Sequence, residues 1–344
     1  MKKRVAVALS GGVDSSFTAY LLKTQGYEVI GLYMDLGLGK VEEARKVADF
    51  LSIPFYVLNF KEEFEKRVIT YFINSYQEGK TPNPCVVCNQ WIKFGLLLQK
   101  AIELDAQKLC TGHYARISRE KQGWTLQRGR EEEKDQSYFL FPLLEKPLGK
   151  ISFPLGDFRK QEIIKEARRA GLPAHHRESQ EVCFLDRGGI KSFLQRKLKG
   201  CYKPGPIITK EGKRVGTHSG ICFYTIGQRR GMHLTLGEPY YVVKIIPEEN
   251  TVVVGKREEV YSQKLLAKRV IWAKYYKPEE GKILHARIRY QHRDSPAQII
   301  SWDGENLILQ FLQPQWAITP GQATVFYEKD KVIGGGWIEK VLND

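Results

Sequence analysis

At 344 residues the chain is too long for one small domain, and two or three domains are expected. With 42% hydrophobic residues it can bury a sizeable core, and with no apolar run near the ~20 residues of a bilayer span it excludes a membrane-spanning helix. Lysine and arginine outnumber aspartate and glutamate by 54 to 39, and the formal charge of +15 points either to a polyanionic partner or to a merely basic surface.

The opening MKKRVAVALSGG has the look of a signal peptide, but its apolar stretch over 5–9 is too short, and Gly11, Gly12 and Asp14 follow at once. It reads instead as a first buried strand of a cytoplasmic protein. The pattern then alternates: a helix over 15–24, a strand over 28–34, a helix over 41–51, a strand over 55–58 and a helix over 62–76. A Pro-rich loop at 82–84 precedes a helix over 91–102 and a strand over 108–111. Such alternation predicts an α/β domain built on a parallel sheet, with its ligand beyond the carboxyl ends of the strands. Past residue 200 the runs become short and β-like, at 206–209, 240–246, 251–254, 286–290, 307–311 and 323–327, with turn signals between them. The expected division is an α/β domain over 1–200, a small central β domain over 201–263, and a C-terminal β-barrel over 264–344.

The strongest motif is SGGVDSS at 10–16, between the first strand and the first helix. Gly11 and Gly12 allow close backbone approach to a phosphate, and the helix N-terminus adds positive partial charge. Ser10, Ser15 and Ser16 supply hydroxyls; Asp14 is either an Mg²⁺ ligand or an N-cap. Other phosphate signatures fail. Asn74 stands where Gly79-Lys80-Thr81 would need its leading glycine, and Glu42 where a dinucleotide fingerprint at Gly37-Leu38-Gly39 would need its last. SGGVDSS resembles the PP-loop of ATP pyrophosphatases, which implies adenylation of a substrate oxygen.

Six cysteines do not suggest a disulfide framework in a cytoplasmic chain. TPNPCVVCN places Cys85 and Cys88 in a CxxC, and Cys183 lies in SQEVCFL. Zinc, a redox pair and half an iron–sulfur site are the generic readings of a CxxC; a zinc ribbon would need a second pair. Cys110, Cys201 and Cys222 read as small core residues. His175, His176, Arg177 and Arg187 would lower the pKa of Cys183, or simply form a solvated basic loop.

Together SGGVDSS, TPNPCVVCNQWIKF, TGHYAR, KDQSYFL, ESQEVCFL, TIGQRRG and TPGQATVFY resemble the tRNA-uridine 2-sulfurtransferase family, the tRNA-specific 2-thiouridylases. The resemblance implies a PP-loop domain, a central β domain and a C-terminal barrel. It implies ATP and Mg²⁺ as reactants, the anticodon arm of tRNA as substrate, and a partner protein that delivers sulfur. Carried over by position, Ala8, Leu9, Ser10, Gly11, Gly12, Val13, Asp14 and Ser15 hold ATP, with Met34 and Gly112 at its adenosine end. Cys88 matches the nucleophile and Cys183 the cysteine that takes the persulfide. Asn83, Pro84, Cys85, Lys134, Asp135 and Gln136 would surround the target base, with Asn83 or Gln136 reading its edge. His113, Arg289, Tyr290 and Gln322 match tRNA-contacting positions, and Arg229 and Arg230 suggest further phosphate contacts. Two departures stand out: many members carry Asp at the position of Cys85, and the segment between Met34 and Val41 is shorter than theirs. Cys85, Cys88 and Cys183 are also the ligand set for an alternative [4Fe–4S] route to the same thiolation. A small-molecule PP-loop ligase and a non-catalytic RNA-binding protein are the remaining alternatives.

Overall fold

The structure is a computed structural model in which residues 2–175, 182–186, 188–198, 202–232, 234 and 237–342 are described. The chain opens with β1 (Arg4–Ala8), α1 (Val13–Thr24), β2 (Glu28–Asp35), α2 (Val41–Phe50) and β3 (Phe55–Asn59). Two long helical runs follow, residues 61–77 and 84–103, each passing through an i→i+5 bonded π segment, Glu65–Ile69 and Asn89–Leu97. Next come β4 (Leu109–Cys110), the hairpin of β5 (Ala115–Glu120) and β6 (Gly123–Arg128), and β7 (Ile151–Ser152).

The first sheet is parallel and ordered β3-β2-β1-β4-β7. Alternate side chains feed two cores. Ala6, Ile30, Leu32 and Leu109 face the larger one, while Val5, Val7, Val29 and Cys110 face the other. Strand order reverses between β1 and β4, which opens a crevice at their carboxyl ends. The SGGVDSS loop leaves β1 there.

The central domain is a four-stranded sheet, β10-β11-β8-β9, formed by β8 (Gly205–Thr209), β9 (Arg214–His218), β10 (Tyr241–Ile246) and β11 (Thr251–Gly255). The last domain comprises β12 (Tyr261–Trp272), β13 (Ile283–Arg287), β14 (Ser295–Trp302), β15 (Asn306–Trp316), β16 (Ala323–Glu328) and β17 (Lys331–Leu342). Because β12 pairs with both β15 and β17, six strands close into a barrel around Leu265, Ala286, Ile299, Leu309, Phe311 and Phe326. No helix among the described residues is long and apolar enough to cross a membrane.

The fold class expected from the sequence is the one observed, with differences in detail. The helix expected over 91–102 starts earlier, at Pro84, so the CxxC sits on its first turns. The β5–β6 hairpin, absent from the sequence reading, extends the barrel sheet, with Gln127 of β6 registered against Lys331 of β17. Ion pairs Lys331–Glu120 (2.5 Å), Arg116–Asp330 (3.1 Å) and Arg128–Asp294 (2.8 Å) continue that seam. The barrel is therefore hydrogen-bonded to the first domain.

Candidate active site

Backbone geometry prepares the loop after β1 for an anion. Gly11 has φ +84, and a Cβ there would lie 2.7 Å from that of Glu43, so only glycine fits. Serines hold the loop in shape. The Ser15 hydroxyl donates to Gly12 O (3.0 Å) and accepts from the Ser10 N–H (3.1 Å), and the Ser16 hydroxyl donates to Gly12 O (2.9 Å). The first-turn N–H groups of α1 have no intrahelical acceptor, and the helix dipole favours negative charge among them. Leu9 and Val13 turn their side chains into the core, while Ala8 and Ser10 border the loop. The arrangement fits a nucleotide's phosphate chain. A strap crosses it: the Val13 N–H donates to His175 O (3.2 Å), and His175 Nε2 lies 3.1 Å from Glu43.

Asp14, in the first turn of α1, is not free. Both its oxygens accept from Lys160 Nζ at 2.8 Å, and one accepts from the Tyr114 hydroxyl at 2.7 Å. Lys160 is buried at the start of the helix Lys160–Arg169, the positive end of a dipole, where a cation is disfavoured without a counter-ion. A carboxylate neutralised in this way does not offer Mg²⁺ a ready ligand, so Asp14 as placed fits an ion-pair role and not metal coordination.

The segment after β4 links the parts of the site. Gly112 backs directly onto the loop, and a Cβ there would lie 2.9 Å from both the carbonyl carbon and Cβ of Asp14. His113 places Nδ1 2.7 Å from the Thr111 hydroxyl and Nε2 3.3 Å from Lys93 Nζ, with its ring beside Phe94 and Phe153. The Tyr114 N–H donates to the Gln136 side chain at 3.0 Å. Met34, half-buried at the end of β2, flanks the same crevice. Gly112→Ala is expected to push the loop aside at a cost of about 1–3 kcal/mol. Nucleotide titration should show ATP affinity lowered about tenfold or more; unchanged affinity would mean that the loop yields freely.

Cys85 and Cys88 ride on the helical run 84–103, with Pro84 at its first position. Cys88 is buried against Val87, Ile92 and their core, and Cys85 is partly buried. Cys183 is exposed, and its neighbour Phe184 is anchored among Phe64, Phe72 and Phe193. Burial raises all three thiols, Cys88 to about 12; the charge of Lys93 opposes burial at each. Among the described residues no group of three or more His, Cys, Asp or Glu side chains is arranged to hold a metal ion. As placed, then, the three cysteines do not fit a [4Fe–4S] ligand set. Cys110 and Cys222 are buried, with thiols raised to about 12 and about 11. His176, Arg177, Arg187 and Cys201 lie outside the described residues.

Several residues expected around a target base instead hold the domains together. Asn83 caps the cysteine helix without a side-chain cap bond. Its amide donates to Gln322 (3.2 Å) and accepts from the Ala323 N–H (2.6 Å) and the Tyr138 hydroxyl (3.3 Å). Gln322 in turn donates to Thr81 O and Pro82 O. Asp135 is 1% exposed and accepts from the N–H groups of Gly129 and Ser137, the Ser137 hydroxyl and Arg287. Expectation and structure differ here: with every acceptor site engaged, Asp135 and the Asn83 carbonyl oxygen have nothing left for a base edge. Lys134 is half-buried at the turn just before Asp135. Arg289 donates to Ile226 O and the Thr319 hydroxyl, joining the barrel to the central domain, and burial lowers its pKa. Tyr290 packs its ring 4.4 Å from Phe139.

Sequence reasoning missed Lys93, Thr111, Tyr114 and Lys160. The first three fall inside motifs already singled out, and a cysteine motif followed closely by a lysine was the available signal. Lys160 had none, since its partner lies 146 residues away.

Comparison with known proteins agrees with this geometry. Residues 3–187 match a family model described as a tRNA methyl transferase HUP domain, 191–256 a tRNA methyl transferase PRC-barrel domain, and 262–338 an aminomethyltransferase beta-barrel domain. The chain is 44% identical to tRNA-specific 2-thiouridylase MnmA 1 of Caldanaerobacter subterraneus subsp. tengcongensis, covering 99% of each chain. It is 46% identical to tRNA-specific 2-thiouridylase MnmA of Moorella thermoacetica, over 97% of this chain and 99% of that one. The Halothermothrix orenii protein of the same name is 44% identical over 98% and 99%. At such identity over nearly the whole length, with phosphate loop and cysteine helix meeting at one crevice, the chain belongs to the tRNA-specific 2-thiouridylase family.

Proposed function

We propose that this chain thiolates the wobble uridine of tRNA, with ATP activating the uracil 2-oxygen and a cysteine persulfide supplying the sulfur. The observation that carries the reading is the segment 111–114, which touches the phosphate loop through Gly112 and Tyr114 and the cysteine helix through His113. One pocket then serves both nucleotide activation and sulfur transfer. Methyl transfer, named in two of the matched models, gives no role to a CxxC helix linked to a phosphate loop through segment 111–114.

In this reading the uracil 2-oxygen attacks the α-phosphorus of ATP, pyrophosphate leaves, and C2 bears an adenylate. The loop and α1 receive the phosphates, while Lys160 and Asp14 fix the helix ends around them. Mg²⁺, bound with ATP, would balance pyrophosphate charge, and no step here depends on a protein ligand to it. Cys183, exposed, accepts a persulfide from a partner protein. Its outer sulfur displaces AMP directly, giving a C2–S–S–Cys183 linkage that Cys88 thiolate breaks at the Cys183 sulfur, or Cys88 thiolate first attacks the inner sulfur and frees hydrosulfide to displace AMP; either way a Cys88–Cys183 disulfide forms. A cellular dithiol reduces that disulfide before the next turnover. The base must leave its stack to enter, with Gln136 and the Phe139–Tyr290 pair nearest to receive it. Residues 1–200 would carry the chemistry, and 201–263 with 264–344 would hold the RNA.

Pyrophosphate release tests the reading. It should require tRNA lacking 2-thiouridine, and nucleoside digests should gain 2-thiouridine once a persulfide donor is present. Release with a small molecule and no tRNA would indicate a ligase; tRNA binding without release would indicate a non-catalytic binder.

A further inference from the structure

Lys93 lies five residues after Cys88 on one helix, and the stretch Asn89–Leu97 between and around them is π-bonded. In an α-helix the fifth residue on points to the far side; an i→i+5 register winds it back toward the Cys88 face. Gly95 tolerates the altered turn, because a Cβ there would press to 3.3 Å from Gln90 O.

Lys93 Nζ meets His113 Nε2 at 3.3 Å, and His113 Nδ1 meets the Thr111 hydroxyl at 2.7 Å. An ammonium group has no lone pair to offer, so Nε2 must accept and Nδ1–H must donate to Thr111. The imidazole is therefore neutral, in keeping with burial and the Lys93 charge, which hold its pKa well below the ordinary value. A carboxylate in the place of His113 would cancel the lysine charge. A neutral ring fixes the ammonium and leaves its charge intact. Among the described residues no carboxylate pairs with Lys93. The titratable groups around it are His113 and the thiols of Cys85, Cys88 and Cys183; Lys40 adds positive charge at Cys183 alone.

We propose that Lys93, aimed by the lone pair of His113, is the counter-ion for sulfur in this pocket and the positioning residue for ionisation of Cys88. In that step the Cys88 S–H bond breaks, the proton passes to water, and the electron pair stays on sulfur beside the ammonium. No bond to Lys93 forms. The same charge would steady the anion of a persulfide on Cys183. The inference deepens the thiolation reading and takes its purpose from it, but ionisation itself needs neither ATP nor tRNA.

Alkylation of the full chain by iodoacetamide, followed peptide by peptide by mass spectrometry between pH 7 and 10, tests this. Lys93→Met should slow alkylation of Cys88 about tenfold at a given pH, equivalent to about one pKa unit. Cys222, which does not sense Lys93, should be unaffected. Lys93→Arg should restore most of the rate. His113→Gln, a neutral acceptor still, should keep the wild-type profile, and His113→Phe should lose part of it. A Lys93→Met profile superimposable on wild type overturns the proposal. So does an equal change at Cys222, which would mean general opening of the fold. If Lys93→Met does not fold, His113→Phe decides: a wild-type profile there overturns it as well. Because alkylation is read without substrates, a chain that responds as expected yet thiolates nothing would sink the functional reading and leave this one standing.

Discussion

Asp14→Ala is expected to lower tRNA-dependent pyrophosphate release by about a hundredfold, the scale of a small misplacement at a reacting centre, because the tie from the first turn of α1 to Lys160 and Tyr114 is lost. Its second effect is on stability. The buried Lys160 would lose both of its 2.8 Å contacts to the Asp14 carboxylate, at a cost of about 2–4 kcal/mol. The two effects separate in a double mutant. Asp14→Ala with Lys160→Met removes both charges and should recover most of the thermal midpoint without recovering activity. Binding of tRNA should survive in either variant, because neither residue contributes to the barrel. Wild-type pyrophosphate release in folded Asp14→Ala would end the assignment.

The second large effect separates the cysteines. Cys88→Ser and Cys183→Ser should abolish 2-thiouridine formation, because a serine hydroxyl neither carries a persulfide nor attacks one. Cys85→Ser should keep substantial activity, even purified and assayed without oxygen. Cys85 is one turn from Cys88 but only partly buried, and the described residues offer no three-ligand metal group that would need it. The outcome that favours a cluster instead is definite. Cys85→Ser would be as inactive as the other two, and anaerobic wild type would show a broad absorbance near ~400 nm that the mutant lacks.

The fold was readable where local pattern decides it. Alternating strands and helices announced the parallel sheet, and the glycines of SGGVDSS announced a close-approach loop at its switch point. What escaped was set by distant partners. β17 contains Gly334, Gly335 and Gly336, which argue against a strand until one sees Trp272, Phe141 and Val270 lying 2.5–2.8 Å from where their Cβ atoms would stand. The β5–β6 hairpin is short and half polar, and its reason for existing is a barrel edge some 200 residues later. The candidate site was legible by residue but not by role. Asn83 and Asp135, expected around the target base, and Gln322, expected to contact tRNA, have their polar groups committed to the seam. Lys93 meets His113 across 20 residues and Lys160 meets Asp14 across 146, pairings that no spacing rule supplies.

The seam carries a consequence for synthesis. Asn83 positions the cysteine helix by bonding to Gln322, 239 residues further along. At about 5–20 residues per second, roughly 10–50 s pass between their emergence from the ribosome. During that interval the parallel sheet can assemble, since every strand it needs precedes residue 153, and the phosphate loop with it. The helix bearing Cys85 and Cys88 meanwhile lacks the contacts that set its start. A nascent chain therefore completes its phosphate loop before the contacts that set the start of its cysteine helix exist, and those contacts come only with the final strands of the barrel. Under the thiolation proposed above, timing of this kind would spare the cell a half-made enzyme that accepts persulfide with no RNA to receive it.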